Sequence, residues 1–416
     1  MRKILILLGS EWSPGSICVN AVIGELIDRG YEVHCVVNRL EGPAERNIYG
    51  AVIHKILPPL GVRFSQWKLT HPGKTAKFLH RLVSFLRRIK LLMLLPVWPL
   101  GFPLYSRRFL KEAEKLHRRF SFDLILSVYS PFETLLAGHR FKKRHPEVLF
   151  VPYMLDALSA SGVPRFMSEQ ATVKKGLAWE HRLFSNADRI VIMESMTGHY
   201  ERFAANEAYY ERLITLGIPL LLRPFENGAE SSPILLPGKI NLVYTGSIPY
   251  NIRKPEYFLE IFSLLKIPDC VLTIIGYCTN PKVLRQSKDR SKNPIRIFDP
   301  VSHSEILDVL ANADIFVNIG NNTPHMIPSK IFEYMSYGKP IISTCPIPDE
   351  PCIPYLRQYP LALLLSEDFS QTERDARAAD LFISGSLGKT TEFDALSSKM
   401  YKNTPQAFAD VIDKLF

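Results

Sequence analysis

Short continuous apolar runs alternate along this chain with longer stretches whose apolar residues recur every three or four positions. Lys3–Leu8, Glu32–Val37, Ala51–Ile56, Asp123–Tyr129, Val148–Leu155 and Asp188–Met193 read as strands, most of them apolar enough to be covered on both faces. Ile17–Arg29, stopped by Gly30, Phe132–Arg144 and a stretch through Trp179, Glu180 and His181 read as intervening helices. Ile214–Gly217 opens a change of domain, and residues 218–239, rich in Pro and Gly without a periodic run, read as a linker. The alternation then restarts. Strands are expected at Ile240–Thr245, Val271–Ile275, Ile295–Phe298 and Ile315–Ile319, with helices at Pro255–Leu265 and Ser302–Asn312, the second capped by Ser302 with Glu305 at its third position. Strand–helix–strand units of this size imply parallel, doubly wound sheets, hence two α/β domains at 1–217 and 240–403. A last helix is expected at about Thr404–Leu415.

The stretch Pro328–Ile342 departs from a simple core pattern. Pro328 and Ser329 signal a helix start, with Ser329 able to cap free N–H groups. Ile331, Phe332 and Met335 form its apolar face, Gly338 ends it, Lys339 sits at its negative end, Pro340 blocks continuation, and a short strand follows. Glu333 does not fit a packing role. A carboxylate there is either an exposed surface group or an acceptor for the vicinal hydroxyls of a sugar. Lys330 lies one turn before it, at a helix start that also favours anions. A cation, free N–H groups and a carboxylate within one turn suit a sugar nucleotide, with phosphate on the first two and the ribose diol on the third.

This stretch resembles the donor-binding motif of the GT-B glycosyltransferases, especially the retaining family called family 4 or group 1. That motif is a glutamate, seven residues, and a second glutamate, followed by a helix ending in Gly-x-Pro. Glu333 matches the second glutamate, which holds the ribose. The first falls at His325, a departure from the pattern, and the loop Asn321–Met326 is the place for a substitute. The resemblance implies a GT-B fold, two Rossmann-like domains facing across a cleft, with the terminal helix 404–416 returning to the first domain. It is specific over about residues 240–345. It implies a phosphate-binding Arg or Lys from the loop before Pro255, where Arg253 matches and Lys254 is its neighbour. Gly246 and Ser247 would let the backbone approach the donor, and Asn322, His325, Pro328, Ser329 and Lys330 are further expected donor contacts. Gly15 and Ser16, at a helix start, are also expected to approach the donor phosphate, with a structural turn glycine as the alternative; Gly15 stands where many relatives carry a Gly-Gly loop, and Ser16 departs from it.

Cations aimed at the departing diphosphate stabilise the transition state, so Arg253 and Lys330 are the expected catalytic charges. Asp156 ends a strand of the first half; it either orients an acceptor hydroxyl or acts as a base, or it is a loop carboxylate. Glu11 and Trp12, in the first loop, carry the same two readings, and His181, His303 and His325 carry weaker signals. No clustered Asp pair suits a divalent cation, and the resemblance implies no cofactor beyond the sugar nucleotide.

Composition refines the picture in one place. The 416 residues carry a formal net charge of +10. Residues 51–120 hold 15 basic and 2 acidic side chains, which exceeds the whole excess. There the basic helices Lys77–Leu95 and Ser106–Phe120 overlap or follow the uncharged Leu91–Tyr105, which is broken by Pro96, Pro99 and Pro103. It is too short to span a bilayer, which takes about 20 apolar helical residues. It suits the surface of an anionic membrane better than nucleic acid. The start of the chain shows no secretory pattern, and the six cysteines show no metal spacing, so reduced thiols in a cytoplasmic protein at the inner membrane face are expected. The expected function is transfer of a sugar from a nucleotide donor to a saccharide or polyprenyl-linked acceptor in surface polysaccharide assembly. The alternatives are a sugar-nucleotide 2-epimerase of the same fold and a non-catalytic sugar-nucleotide-binding partner subunit.

Overall fold

The computed structural model describes every residue except 10–13, 39–44, 49, 61–62, 65–66, 68–78, 80–82, 86–88, 90–91, 161–165, 225–231 and 325. Glu11, Trp12, His325 and most of the helix expected at Lys77–Leu95 therefore lie outside the described residues. The chain divides into two compact units, Met1–Pro219 with Pro405–Phe416, and Leu220–Thr404.

The first unit is built on eight strands: β1 (Lys3–Leu7), β2 (Glu32–Asn38), β3 (Glu45–Ile48), β4 (Ala51–Ile56), β5 (Leu124–Tyr129), β6 (Leu149–Met154), β7 (Ile190–Met193) and β8 (Leu213–Leu216). Their order is β3-β4-β2-β1-β5-β6-β7-β8, and only the edge strand β3 is antiparallel. Ile4–Leu7 of β1 are fully buried, as a central parallel strand covered by helices on both faces requires. The first helix, Pro14–Asp28, follows β1. Helix Pro103–Phe120 buries Phe109, Ala113 and Leu116, and helix Phe132–Arg144 buries Leu135, Leu136 and Phe141. The last helix, Pro405–Asp413, also belongs here. Arg29 joins Glu25 (2.8 Å), Asp410 (2.7 Å) and Asp413 (2.5 Å), while the Phe408 and Tyr153 rings meet at 4.7 Å.

Helix Pro103–Phe120 begins three residues earlier than expected, because Pro103 occupies the first helical position, where its missing N–H costs nothing. The uncharged segment before it is split. Tyr105 is buried, and Leu100 and Phe102 pack on the core, whereas Leu92, Met93, Val97 and Leu104 are exposed. Among the described residues no helix is long and apolar enough to cross a membrane.

The second unit holds an all-parallel sheet of β9 (Ile240–Thr245), β10 (Cys270–Ile275), β11 (Ile295–Phe298), β12 (Ile315–Ile319), β13 (Ile341–Cys345) and β14 (Ala362–Ser366), ordered β11-β10-β9-β12-β13-β14. The expected helix after Ser302 is present as His303–Asn312 with a full capping box: Ser302 Oγ accepts from the Glu305 N–H (3.3 Å) and Glu305 accepts from the Ser302 N–H (2.9 Å). Strand β14 and helices Pro281–Arg290, Thr372–Ser386 and Phe393–Lys399 have no counterpart in the sequence reading. The buried face of Thr372–Ser386 consists largely of Ala376, Ala379 and Ile383, whose small side chains leave little hydrophobic periodicity. Leu220, Leu221, Ile234 and Leu235, inside the range read as a linker, are buried in this unit. All six cysteines are buried, and none is in a disulfide.

Candidate functional site

The sheet order of the second unit places a topological switch between β9 and β12: β10 and β11 lie to one side, β13 and β14 to the other. Loops at the carboxyl ends of two such strands diverge and leave a crevice, the usual ligand position in open α/β sheets. The loop after β9 carries Gly246, Ser247 and Arg253; the loop after β12 carries Asn321 and Asn322.

Gly246 has φ +129°, a conformation open to glycine. Its carbonyl oxygen is crossed so closely by Gly276 (φ +143°) that a Cβ on Gly276 would lie 2.1 Å away. A Cβ on Gly246 itself would come within 4.0 Å of Lys330 Cγ, so backbone and cation meet here without a side chain between them. Thr245 is fixed by Tyr334, whose hydroxyl accepts from the Thr245 N–H at 2.8 Å. The end of β9 is thus tied to the helix Lys330–Ser336.

Arg253 is half-buried and held on two sides. Its Nε donates to Asn321 Oδ1 (2.6 Å) and its Nη1 to the Ser247 carbonyl (3.1 Å) and Tyr244 hydroxyl (3.4 Å). Nη2 makes no hydrogen bond among the described residues. Asn321, fully buried, donates to the Met326 carbonyl (2.5 Å), and its N–H donates to Glu350 (3.3 Å). Burial raises the Glu350 carboxyl above the usual carboxylate range; hydrogen bonds from the Cys352 and Asn321 N–H groups and the charge of Arg253 pull it back. Asn322 spends its polar groups on loop pairing, donating to the Ile252 (2.9 Å) and Asn251 (3.1 Å) carbonyls. A guanidinium locked on one edge with its outer edge unpaired is a preorganised anion receptor.

Lys330 and Glu333 form an ion pair on the short helix, both side chains partly exposed. Pro328 is buried, and its carbonyl accepts the Ile331 N–H (3.2 Å). Ser329 does not cap this helix: it sits in helical geometry and its side chain makes no cap hydrogen bond, because the turn is closed by backbone groups. Gly338 takes the left-handed conformation (φ +68°) expected at the helix end. Lys339 reaches away from that helix to the carbonyls of Ala311, Ala313 (2.7 Å) and Leu310 (3.5 Å), so it neutralises the end of helix His303–Asn312 instead.

Gly246, Ser247, Arg253 and Asn322 are thus brought to neighbouring strand ends, with Lys330 and Glu333 on the adjoining helix and Pro328 and Ser329 just before it. Gly15 and Ser16 lie in the first turn of helix Pro14–Asp28, in the first unit. Asp156 stands exposed two residues beyond β6, also in the first unit. The sequence pointed to Asn321 only as the start of the loop Asn321–Met326, and it did not point to Glu350. Asn321 follows an expected strand end by two residues, which was its available signal, whereas Glu350 lies in a Pro-Asp-Glu-Pro turn that gives none.

The first unit has its own switch point, between β1 and β5. A pocket of about 260 Å³ lies at the end of β5, walled by Trp98, Phe102, Tyr129 and Phe132 with Glu133 among them. Glu133 is 4% exposed and accepts the Phe102 N–H at 2.7 Å. The loop carrying Asp156 is anchored below by Glu180, fully buried, which accepts from the Ser159 N–H (3.0 Å), Ser159 hydroxyl (2.9 Å) and Tyr200 hydroxyl (3.2 Å). Burial pushes its carboxyl from 4.5 up to about 7 against those bonds.

A raised carboxyl pKa means that the folded state binds more protons than the unfolded one between those two values. Glu180 therefore contributes most below pH 4.5, and that contribution falls as pH rises to about 7, by on the order of 3 kcal/mol. Glu180→Gln is expected to remove this component. Urea unfolding at pH 5 and 7.5 should show a smaller pH difference attributable to this site, and an identical pH profile in the variant would refute the assignment.

Only one group among the described residues has metal-ligand proximity: His117, His145 and Glu147, with one potential ligand atom from each within 4.8 Å of the others. His117 Nδ1 accepts the Phe122 N–H (3.1 Å), which leaves the neutral ring's proton on Nε2, the nitrogen facing Glu147 (3.9 Å). Both histidines are engaged outside the cluster, His117 by the Phe122 N–H and His145 by Glu114 at 3.2 Å.

Residues 239–351 match the family model "Glycosyl transferases group 1", the segment that contains the β9 and β12 loops and the helix Lys330–Ser336. No curated protein sequence matches the chain. Among solved structures, HepE of Anabaena, in complex with UDP-glucose, is similar over 100% of both chains at 12% identity, with a TM-score of 0.59. Sucrose-phosphate synthase of Thermosynechococcus elongatus is similar over 99% of this chain and 100% of its own at 12% identity (TM-score 0.58). A putative UDP-N-acetylglucosamine 2-epimerase of Listeria monocytogenes is similar over 95% and 94% at 10% identity (TM-score 0.52). At these identities the likenesses establish the fold, which is GT-B.

Proposed function

We propose that this protein is a glycosyltransferase that takes a sugar from a nucleotide-sugar donor, with retention and without a metal. The observation that carries this reading is the convergence of Gly246, the pinned Arg253 and Lys330 at the β9–β12 switch point, with Glu333 one turn along the helix. Arg253 and Lys330 neutralise the leaving diphosphate, and Glu333 takes the ribose diol. Two fixed cations supply the charge stabilisation for which other transferases use a divalent ion. In the front-face route suggested by the family resemblance, the leaving phosphate helps to deprotonate the acceptor, so no strong protein base is required.

The acceptor sugar lies in the Trp98–Glu133 pocket, whose aromatic walls suit pyranose faces and whose carboxylate suits hydroxyls. Trp98 and Phe102 of that wall continue the segment whose Leu92, Met93 and Val97 side chains are exposed, so a polyprenyl chain on the acceptor has an apolar path beside its sugar. The same side chains, with the surrounding positive charge, attach the protein to the anionic inner face of the membrane during surface polysaccharide assembly.

Incubation with a panel of sugar nucleotides, with and without acceptor, tests the reading through nucleoside diphosphate release. Release that depends on acceptor supports transfer. Epimerised donor without acceptor means an epimerase, and donor binding with neither reaction means a non-catalytic subunit. Vesicle co-sedimentation tests the membrane claim: the folded protein should pellet with anionic vesicles at low salt and less at high salt, and failure at low salt would sink that claim.

A further inference from the structure

A second concentration of charge lies on the helical face of the first unit. Helices Pro103–Phe120 and Phe132–Arg144 flank β5 in sequence and pack side by side. Between them runs a groove of about 600 Å³ lined by Arg107, Lys111, Arg118, Arg140 and Arg144, with Leu110 and Glu114. Arg107, Lys111 and Arg118 are spaced four and seven residues apart, so they follow one side of the first helix; Arg140 and Arg144 are spaced four apart on the second.

Five cations face one carboxylate, and that carboxylate is already shared: Glu114 meets Arg144 at 3.1 Å and His145 at 3.2 Å. Arg107, Lys111, Arg118 and Arg140 have no ion pair or hydrogen bond among the described residues. Burial, with the charges of Arg182, Arg107 and Arg144, holds the half-buried Arg140 guanidinium below its ordinary value. Unneutralised like charges crowded into a concave site cost free energy that a bound anion recovers. Simple solvation explains scattered surface cations. It explains less well two facing rows, one of which holds the half-buried Arg140 guanidinium.

We propose that this groove is a binding site for a phosphate-bearing ligand, with Arg107 and Arg140 as its central contacts. Guanidinium forks match phosphate oxygens in pairs, and the groove exceeds the size of one phosphate, so it has room for two phosphates or for a phosphate and a less polar body resting on Leu110. The phosphate can belong to a soluble ligand or to a lipid headgroup.

The test uses the full chain and two probes: inorganic pyrophosphate by calorimetry at low salt, and vesicles of phosphatidylcholine with and without phosphatidylglycerol by flotation. The variants are the double substitution Arg107→Gln with Arg140→Gln, a second pair Lys111→Gln with Arg118→Gln, and a charge-matched control Lys282→Gln with Lys288→Gln on the exposed face of helix Pro281–Arg290. At least one probe should bind, and its affinity should fall about tenfold or more in the Arg107/Arg140 variant and less or not at all in the control. The Lys111/Arg118 variant takes the place of the first if that one fails to fold. Pyrophosphate binding that responds assigns a soluble ligand, and a response limited to phosphatidylglycerol vesicles assigns a headgroup. Binding of neither probe, equal loss in variant and control, or binding of both probes indifferent to the groove substitutions would overturn the site; pyrophosphate held at Arg253 and Lys330 would not respond to them. None of these outcomes depends on transferase activity.

Discussion

Replacing Arg253 by alanine is expected to lower turnover by about 100- to 1,000-fold while the protein still folds. The expectation rests on how the guanidinium is held. Asn321 and the Ser247 carbonyl fix its inner edge, so its orientation is set before any ligand arrives. A charge that needs no reorganisation when the diphosphate departs stabilises the transition state more than a mobile one. Arg253→Lys keeps the charge but cannot reproduce the two-sided attachment, so it should recover only part of the rate. The stability cost should be modest, because the side chain is half-exposed and Asn321 retains its bond to Met326. Steady-state kinetics and thermal melts on the same samples decide the matter. Constant turnover per folded molecule with a sharply lower melting temperature would make Arg253 structural.

Replacing Glu333 by glutamine should weaken sugar-nucleotide binding tenfold or more, since a hydrogen bond to a charged group is worth roughly 1.5–3 kcal/mol. In the structure this carboxylate pairs with Lys330 three residues away on a partly exposed helix. Such a pair contributes only a few tenths of a kcal/mol, so the melting temperature should scarcely move. The two effects separate a ribose contact from a surface ion pair. Calorimetric titration with the best donor reads the first, and unchanged affinity would remove Glu333 from the site.

The strand pattern of both halves was legible because parallel strands covered on both faces must be almost wholly apolar; Ile4–Leu7 and Ile315–Ile319 show this residue by residue. The helix at 330–336 and its glycine stop were legible for the same local reason: one turn signal and one φ-positive residue suffice. Elements with little apolar periodicity, such as Thr372–Ser386 with its alanine face, were not. Tertiary structure alone decided where Lys339 points, since its target carbonyls lie some 26–29 residues away on another helix. It alone joined Arg253 to Asn321 and placed buried Glu350 behind them, because these positions are separated by 68 and 29 residues and meet only through strand order. The sequence by itself determined a sheet of parallel strands and the identity of the charged residues near their ends. Which of those charges share a site depended on which strand ends are neighbours, a long-range property that no local period encodes.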